Sequence, residues 1–199
     1  IIENLPNISG TIYFWTHTNT LSSYSGLEQL NFIIGDYASY NLSGGISTAL
    51  PSAFGGIVPS GLIPSCQGFV VYSEVPNINL IFKPSYMAPS QANSGVFAPF
   101  YRKTNNTYTR YRLNLYDIDI EFGLFKQILV NYNSDTSLLY DKGWDAKLPI
   151  YNQPLKFYTI NNTEKYEIDA RGDFDINDVV KLGYSSVISG MFEISVETV

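Results

Sequence analysis

The sequence predicts an all-β protein, an antiparallel β-sandwich of jelly-roll-like form with about ten strands and long ordered loops. Three observations carry this expectation. The 199 residues include 16 Tyr, 12 Phe, 15 Gly and 10 Pro, a bias toward strand-forming aromatics and turn formers. Short apolar runs recur along the whole chain with turn residues between them. No segment keeps the 3.6-residue apolar period over the eleven or more positions that define an amphipathic helix.

The elements follow in order. "GTIYFWT" (Gly10 to Thr16) reads as the first strand, with Trp15 in an apolar run that directs it to the core. "YNLSGGISTALPSAFGGIVPSGLIPS" is rich in Gly, Ser and Pro and reads as a long ordered loop, packed through Leu50, Phe54, Ile57, Val58, Leu62 and Ile63. "GFVVYS" and "NLIFK" read as a hairpin about "EVPNI", where Pro76 removes a ladder donor. "TRYRLNLY" sets Tyr111, Leu113 and Leu115 against Arg110, Arg112 and Asn114, the alternation of a half-buried strand, and "FKQILVNY" is its expected partner. Beyond Leu115 the apolar phase switches to Ile118, which implies a bulge or turn. "LKFYTI" and "KYEIDA" flank a tight turn at Asn161-Asn162, and "VVKLGY" and "MFEISV" close the chain about Ser189-Gly190.

Composition excludes several functions. With 12 Lys and Arg against 18 Asp and Glu, the formal charge is −6 and no basic cluster stands out, so nucleic acid is not an expected partner. No apolar run approaches the roughly 20 residues that span a bilayer. Cys66 is the single cysteine, which rules out an internal disulfide, and 199 residues are enough to rely on a core instead. The chain starts at Ile1 within apparent folded sequence, so residues 1–199 are read as one β-sandwich module, an internal fragment of a longer secreted protein.

Catalytic constellations are sparse. His17 is the only histidine, and "PSCQGF" about Cys66 is no nucleophile elbow, so a triad lacks its parts. One His and one Cys do not make a conventional zinc site. Asp117, Asp119 and Glu121 alternate with Ile118, Ile120 and Phe122 and place three acids on one face, the raw material of a glycosidase pair or of a solvated strand.

Calcium is the candidate ion, because hard cations take oxygens from short turn-forming segments. Asp141 and Asp145 bracket Gly143 in "YDKGWD", and Asp173, Asp175, Asn177 and Asp178 occupy "DFDIND". The latter is no EF-hand: Asp178 stands where the sixth-position Gly belongs and Tyr184 where the twelfth-position acid belongs. Asp and Asn are equally the ordinary residues of turns. Arg171-Gly172-Asp173 is an adhesion tripeptide only if it sits at an exposed loop tip. Trp144, between Gly143 and Asp145, is either a plug over the core or a flat platform for a sugar ring. Sequons at Asn7, Asn41, Asn105 and Asn161 arise readily in a chain this rich in Asn and Ser.

The ordered segments "GTIYFWTHTNT", "GDYASYNLSGG", "GLIPSCQGFVV", "RLNLY", "FKQILVNY", "YDKGWDAK", "LKFYTIN", "KLGY" and "MFEISV" resemble the module that precedes the sorting domain in large flavobacterial proteins exported by the type IX pathway. The resemblance runs across nearly the whole chain. Two departures are a longer turn after Leu115 and the missing opening "GNPYPS". It implies a secreted or cell-surface, outer-membrane-associated protein, an adhesin or part of a gliding or biofilm layer, with the type IX machinery and other domains of the same chain as partners, and it supplies no catalytic residues. The expected function is therefore a non-enzymatic structural spacer module without a cofactor. The alternatives are a carbohydrate-binding module that meets surface glycans and a fragment of a glycoside hydrolase or peptidase.

Overall fold

The structure, a computed structural model, describes residues 1–16, 36–49, 56–64, 66–86, 109–119, 123–150 and 153–198. It is all-β, with antiparallel and mixed sheets. Among the described residues eleven strands form two sheets: β1 (Ile8–Trp15), β2 (Tyr37–Asn41), β3 (Gly44–Ile46) and β4 (Val70–Ser73) in one, and β5 (Thr109–Asp117), β6 (Phe125–Tyr132), β7 (Ala146–Lys147), β8 (Leu155–Asn161), β9 (Glu164–Ala170), β10 (Lys181–Ser186) and β11 (Phe192–Thr198) in the other. The first sheet runs β3-β2-β1-β4 and the second β10-β8-β9-β6-β5-β11, with β7 added to β9. Every pairing is antiparallel except β6 with β9. Among the described residues no helix is long and apolar enough to cross a membrane.

The larger sheet curls so that its ends approach one another. Leu155 and Phe157 of β8 pack with Leu113 and Leu115 of β5 and Ile128 of β6, although β9 lies between β8 and β6 in the strand order. The rings of Tyr184 on β10 and Phe192 on β11, the two terminal strands of that order, come within 6.3 Å. This apolar interior is the core that the Leu113 and Leu115 alternation predicts.

The opposite face of β5 is a polar joint rather than a solvated surface. Arg110 Nη1 donates to the Ser43 carbonyl at 3.0 Å and Arg112 Nε to the Gly45 carbonyl at 2.9 Å, while Gln127 Oε1 accepts from Ser47 N at 2.9 Å. Gly44 and Gly45 make this possible because they carry no side chain: a Cβ on Gly44 would lie 2.9 Å from Arg110 Nη1. Among the described residues, Ile46, Leu129, Ala146 and Ile168 form an apolar cluster at this joint. A buried guanidinium requires such partners, and burial still lowers the Arg112 pKa to about 10, against the opposing pull of Glu197.

Several expectations are corrected. The Gly- and Ser-rich stretch supplies the regular strand β3 and the last two residues of β2, since its small residues suit the close approach of the arginines. Within it Ile57, Leu62 and Ile63 are exposed instead of packed, and Leu50 and Phe54 lie outside the described residues. "NLIFK" forms no strand: β4 pairs with β1, and the Asn4 side chain binds both the N–H and the carbonyl of Ile81, taking the place of a ladder neighbour. β10 and β11 do not pair with each other; β8 and β5 take them. Trp15 is 39% exposed at the end of β1 and does not face the core. The β8–β9 hairpin forms as expected, its turn one residue later than expected: Asn162 and Thr163 both take positive φ, the signature of a type I′ turn.

Candidate functional site

The two acidic stretches lie on loops that enter and leave the β6–β9 parallel pair, and each is fastened by its own hydrogen bonds. In "YDKGWD" the chain reverses at Gly143, whose φ is +85°. The amides of Trp144 and Asp145 both bond to the Asp141 carbonyl, at 3.0 and 2.9 Å. Asp145 is 2% exposed; its Oδ2 accepts from Asp141 N at 2.6 Å and its Oδ1 from Ala170 N at 2.7 Å. Asp141 Oδ2 in turn accepts from the amide and hydroxyl of Ser137. Burial raises the Asp145 pKa to about 7; the two amides oppose this, and the charges of Asp169 and Asp141 add to it.

This loop is also a place where the two sheets touch. Leu42 N donates to the Gly143 carbonyl, and the Trp144 carbonyl accepts from Asn41 Nδ2 at 2.9 Å and Ser43 Oγ at 2.7 Å. A Cβ on Gly10 would lie 2.5 Å from Gly143 Cα, so both positions need the missing side chain as well as the left-handed backbone. Trp144 is half-buried above this contact, and its backbone is part of the joint.

"DARGDFDIND" resolves differently. Arg171 is 7% exposed and turned inward. Its Nη1 donates to Asp169 Oδ2 at 3.0 Å, its Nε to Asp178 Oδ2 at 2.7 Å and its Nη2 to Asp178 Oδ1 at 2.8 Å, the two-pronged geometry that guanidinium and carboxylate favour. Tyr132 Oη donates to Asp178 Oδ2 at 2.9 Å. Asp178, nearer solvent, has its pKa lowered, first by the Arg171 hydrogen bond; Asp169 has its pKa raised because burial outweighs the attraction of Arg171. The arginine of the tripeptide is thus a clasp closing the loop, not a group offered to a receptor.

Asp175 Oδ1 accepts from the amide and side chain of Asn177, an Asx turn, and Asp173 is exposed. The fold brings Asp141 to Asp145 and Asp178 to Arg171. It does not gather the six calcium candidates about one point, and among the described residues no group of three or more His, Cys, Asp or Glu is placed to hold a metal ion.

The other candidates are dispersed. Asp117 Oδ1 accepts from Asp119 N and Asp119 Oδ2 from Met191 N, so both acids order the turn after β5. Glu121 and His17 lie outside the described residues. Cys66 is exposed. What sequence reading missed is the polar joint itself: Arg110, Arg112, Gln127 and Asn131 belong to a buried network. Its signal was the adjacent "SGG", glycines flanked by strand formers.

No curated protein and no solved structure matches the chain. A family model matches it from residue 1 to residue 199, and the chain therefore belongs to the family described as Domain of unknown function (DUF8693).

Proposed function

We propose that this chain is a non-enzymatic structural spacer of a secreted, type IX-exported cell-surface protein. The observation that supports this reading is the use of its polar groups. The buried carboxylates of Asp145, in the first acidic loop, and of Asp169, near the end of β9, bind amides or the arginine of the same chain. A binding or catalytic site keeps polar groups free for its ligand; these hold loops and sheets together.

The test is replacement of residues 1–199 in the source protein by an unrelated β-sandwich of similar length. Surface delivery and function of the remaining domains are expected to persist. Their loss, with the replacement domain folded, would overturn the spacer reading. Fractionation of cells lacking the type IX machinery should show the protein retained; delivery without that machinery would refute the export route.

A second reading, carbohydrate binding, is favoured by the exposure of Trp15 at a strand end. A glycan array with the intact chain and with Trp15→Ala decides it. Hits lost in the variant would support sugar binding, and an array at background would reject it.

A further inference from the structure

The larger sheet does not close. Among the described residues β10 has only β8 and β11 only β5 as a neighbour, so each leaves one edge unpaired. Four antiparallel pairings and one parallel pairing separate the two strands, which therefore run in the same direction at the ends of the curled sheet. A strand antiparallel to one is antiparallel to the other as well.

The backbone bonds at the end of β11 determine which of its groups point outward. The Met191 carbonyl accepts from Ile118 N, so by antiparallel alternation Glu193, Ser195 and Glu197 bond to β5. Asp117 N donates to the Leu124 carbonyl on the far side of β5, which agrees with that alternation. Phe192, Ile194 and Val196 are left to direct their N–H and C=O groups to the unpaired edge. They are also the apolar residues of the strand. Ile194 stands opposite Leu115 and Val196 opposite Leu113, both buried in the core, and yet Ile194 is 49% and Val196 66% exposed. Outward backbone groups and half-covered apolar side chains on one edge are what an added strand covers.

β11 also lacks the usual protections of an edge. It contains no Pro, Gly or Lys and pairs without a register shift, whereas β10 carries Lys181 and Gly183.

Charge selects the occupant. The opposite face of β11 presents Glu193, which is exposed beside the Tyr116 hydroxyl and in no ion pair among the described residues, and Glu197, 3.8 Å from Arg112 Nη1. A second copy of β11, paired antiparallel in the register that overlaps the strand end to end, would set Glu193 against Glu197, and like charges directly opposite are unfavourable. A strand with Lys or Arg on that face complements both acids in a chain of charge −6.

We propose that the unpaired edge of β11 is a docking site for an extended segment of another protein, which adds antiparallel to β11 and alternates apolar residues over Ile194 and Val196 with Lys or Arg beside Glu193 and Glu197.

The test is amide hydrogen exchange of the intact chain, read residue by residue by NMR, with and without a synthetic peptide of about seven residues that alternates Val and Lys. In the chain alone the Ile194 and Val196 amides should exchange fast and those of Glu193 and Ser195 slowly. The peptide should slow the Ile194 and Val196 amides at least roughly tenfold. N-methylation of alternate peptide residues should abolish the slowing, as should Val196→Lys in the chain, and a peptide alternating Val and Glu should slow neither amide. Slow exchange of Ile194 and Val196 in the chain alone would overturn the proposal, with a second copy as the occupant if protection rises with protein concentration and this chain itself if it does not. No slowing by the Val and Lys peptide would also overturn it, and so would slowing that survives N-methylation, which is adsorption by charge only. Should Val196→Lys fail to fold, Glu193→Lys decides: it should weaken the effect of the Val and Lys peptide, and an unchanged effect would reject the charge pairing.

Discussion

Arg171→Met is the substitution whose consequence follows most directly from the geometry. Methionine keeps most of the arginine stem and removes the guanidinium, so apolar packing about β9 is largely preserved. The loss is electrostatic. Asp169, whose side chain is 1% exposed, is left buried without its cation, and Asp178, 18% exposed, loses both donors from Arg171. A hydrogen bond to a buried charge contributes about 1.5–3 kcal/mol, and the more exposed Asp178 pair adds about 1 kcal/mol or less. The expected total is about 1.5–4 kcal/mol, whose upper part overlaps the cost of stranding one member of a buried pair. For a chain of this size each kcal/mol moves Tm by about 2–4 °C, so the variant should melt about 3–16 °C lower.

Urea unfolding followed by circular dichroism across pH checks both size and sign. Asp169, raised in the folded state, binds its proton more readily there than when unfolded, so its unfavourable burial is relieved as pH falls. Asp178, lowered by Arg171, contributes stability above its unfolded pKa that the wild type loses on acidification. Both effects shrink the gap between wild type and variant as pH falls. Adding Asp169→Asn should recover a large part of the loss by removing the stranded charge. A loss below about 1 kcal/mol, a pH-independent gap, or no recovery in the double variant would refute the reasoning.

Three further outcomes are expected. Asp145, raised from 3.8 to about 7, carries stability that is present below the unfolded pKa and lost as pH rises through 7. That change is of order 4 kcal/mol, so Asp145→Asn should flatten the stability profile between about pH 4 and 7, and an unchanged slope in urea unfolding would count against the protonated carboxyl. Thr163→Gly should stabilise the β8–β9 turn by about 1 kcal/mol, because Thr163 holds a φ of +78° that a β-branched residue resists; calorimetry should show Tm rising by about 2–4 °C. Gly10→Ala should destabilise by more than about 2 kcal/mol, since the new Cβ meets Gly143 Cα at 2.5 Å across the sheet joint while φ is +88°; a melt within 2 °C or so of wild type would show that the sheets part readily there.

The strands legible in the sequence are those whose side chains alternate strongly between two environments. Tyr111, Leu113 and Leu115 mark β5 because one of its faces meets an apolar interior, and "LKFYTI", "NNTE" and "KYEIDA" mark a hairpin because its turn chemistry is local. Where function of the residue depends on a distant partner, the sequence is silent. Arg110 and Arg112 read as a wet face until "SGG" arrives from more than sixty positions away to accept their hydrogen bonds. Arg171-Gly172-Asp173 reads as a turn between strands that also spells an adhesion tripeptide, and only the inward turn of Arg171 shows that its guanidinium binds Asp169 and Asp178. Local periodicity and turn preference are properties of neighbouring residues and are written in their order. Whether a charged side chain faces water, a ligand or another strand depends on which surfaces the chain brings together, and here only the tertiary structure decided it.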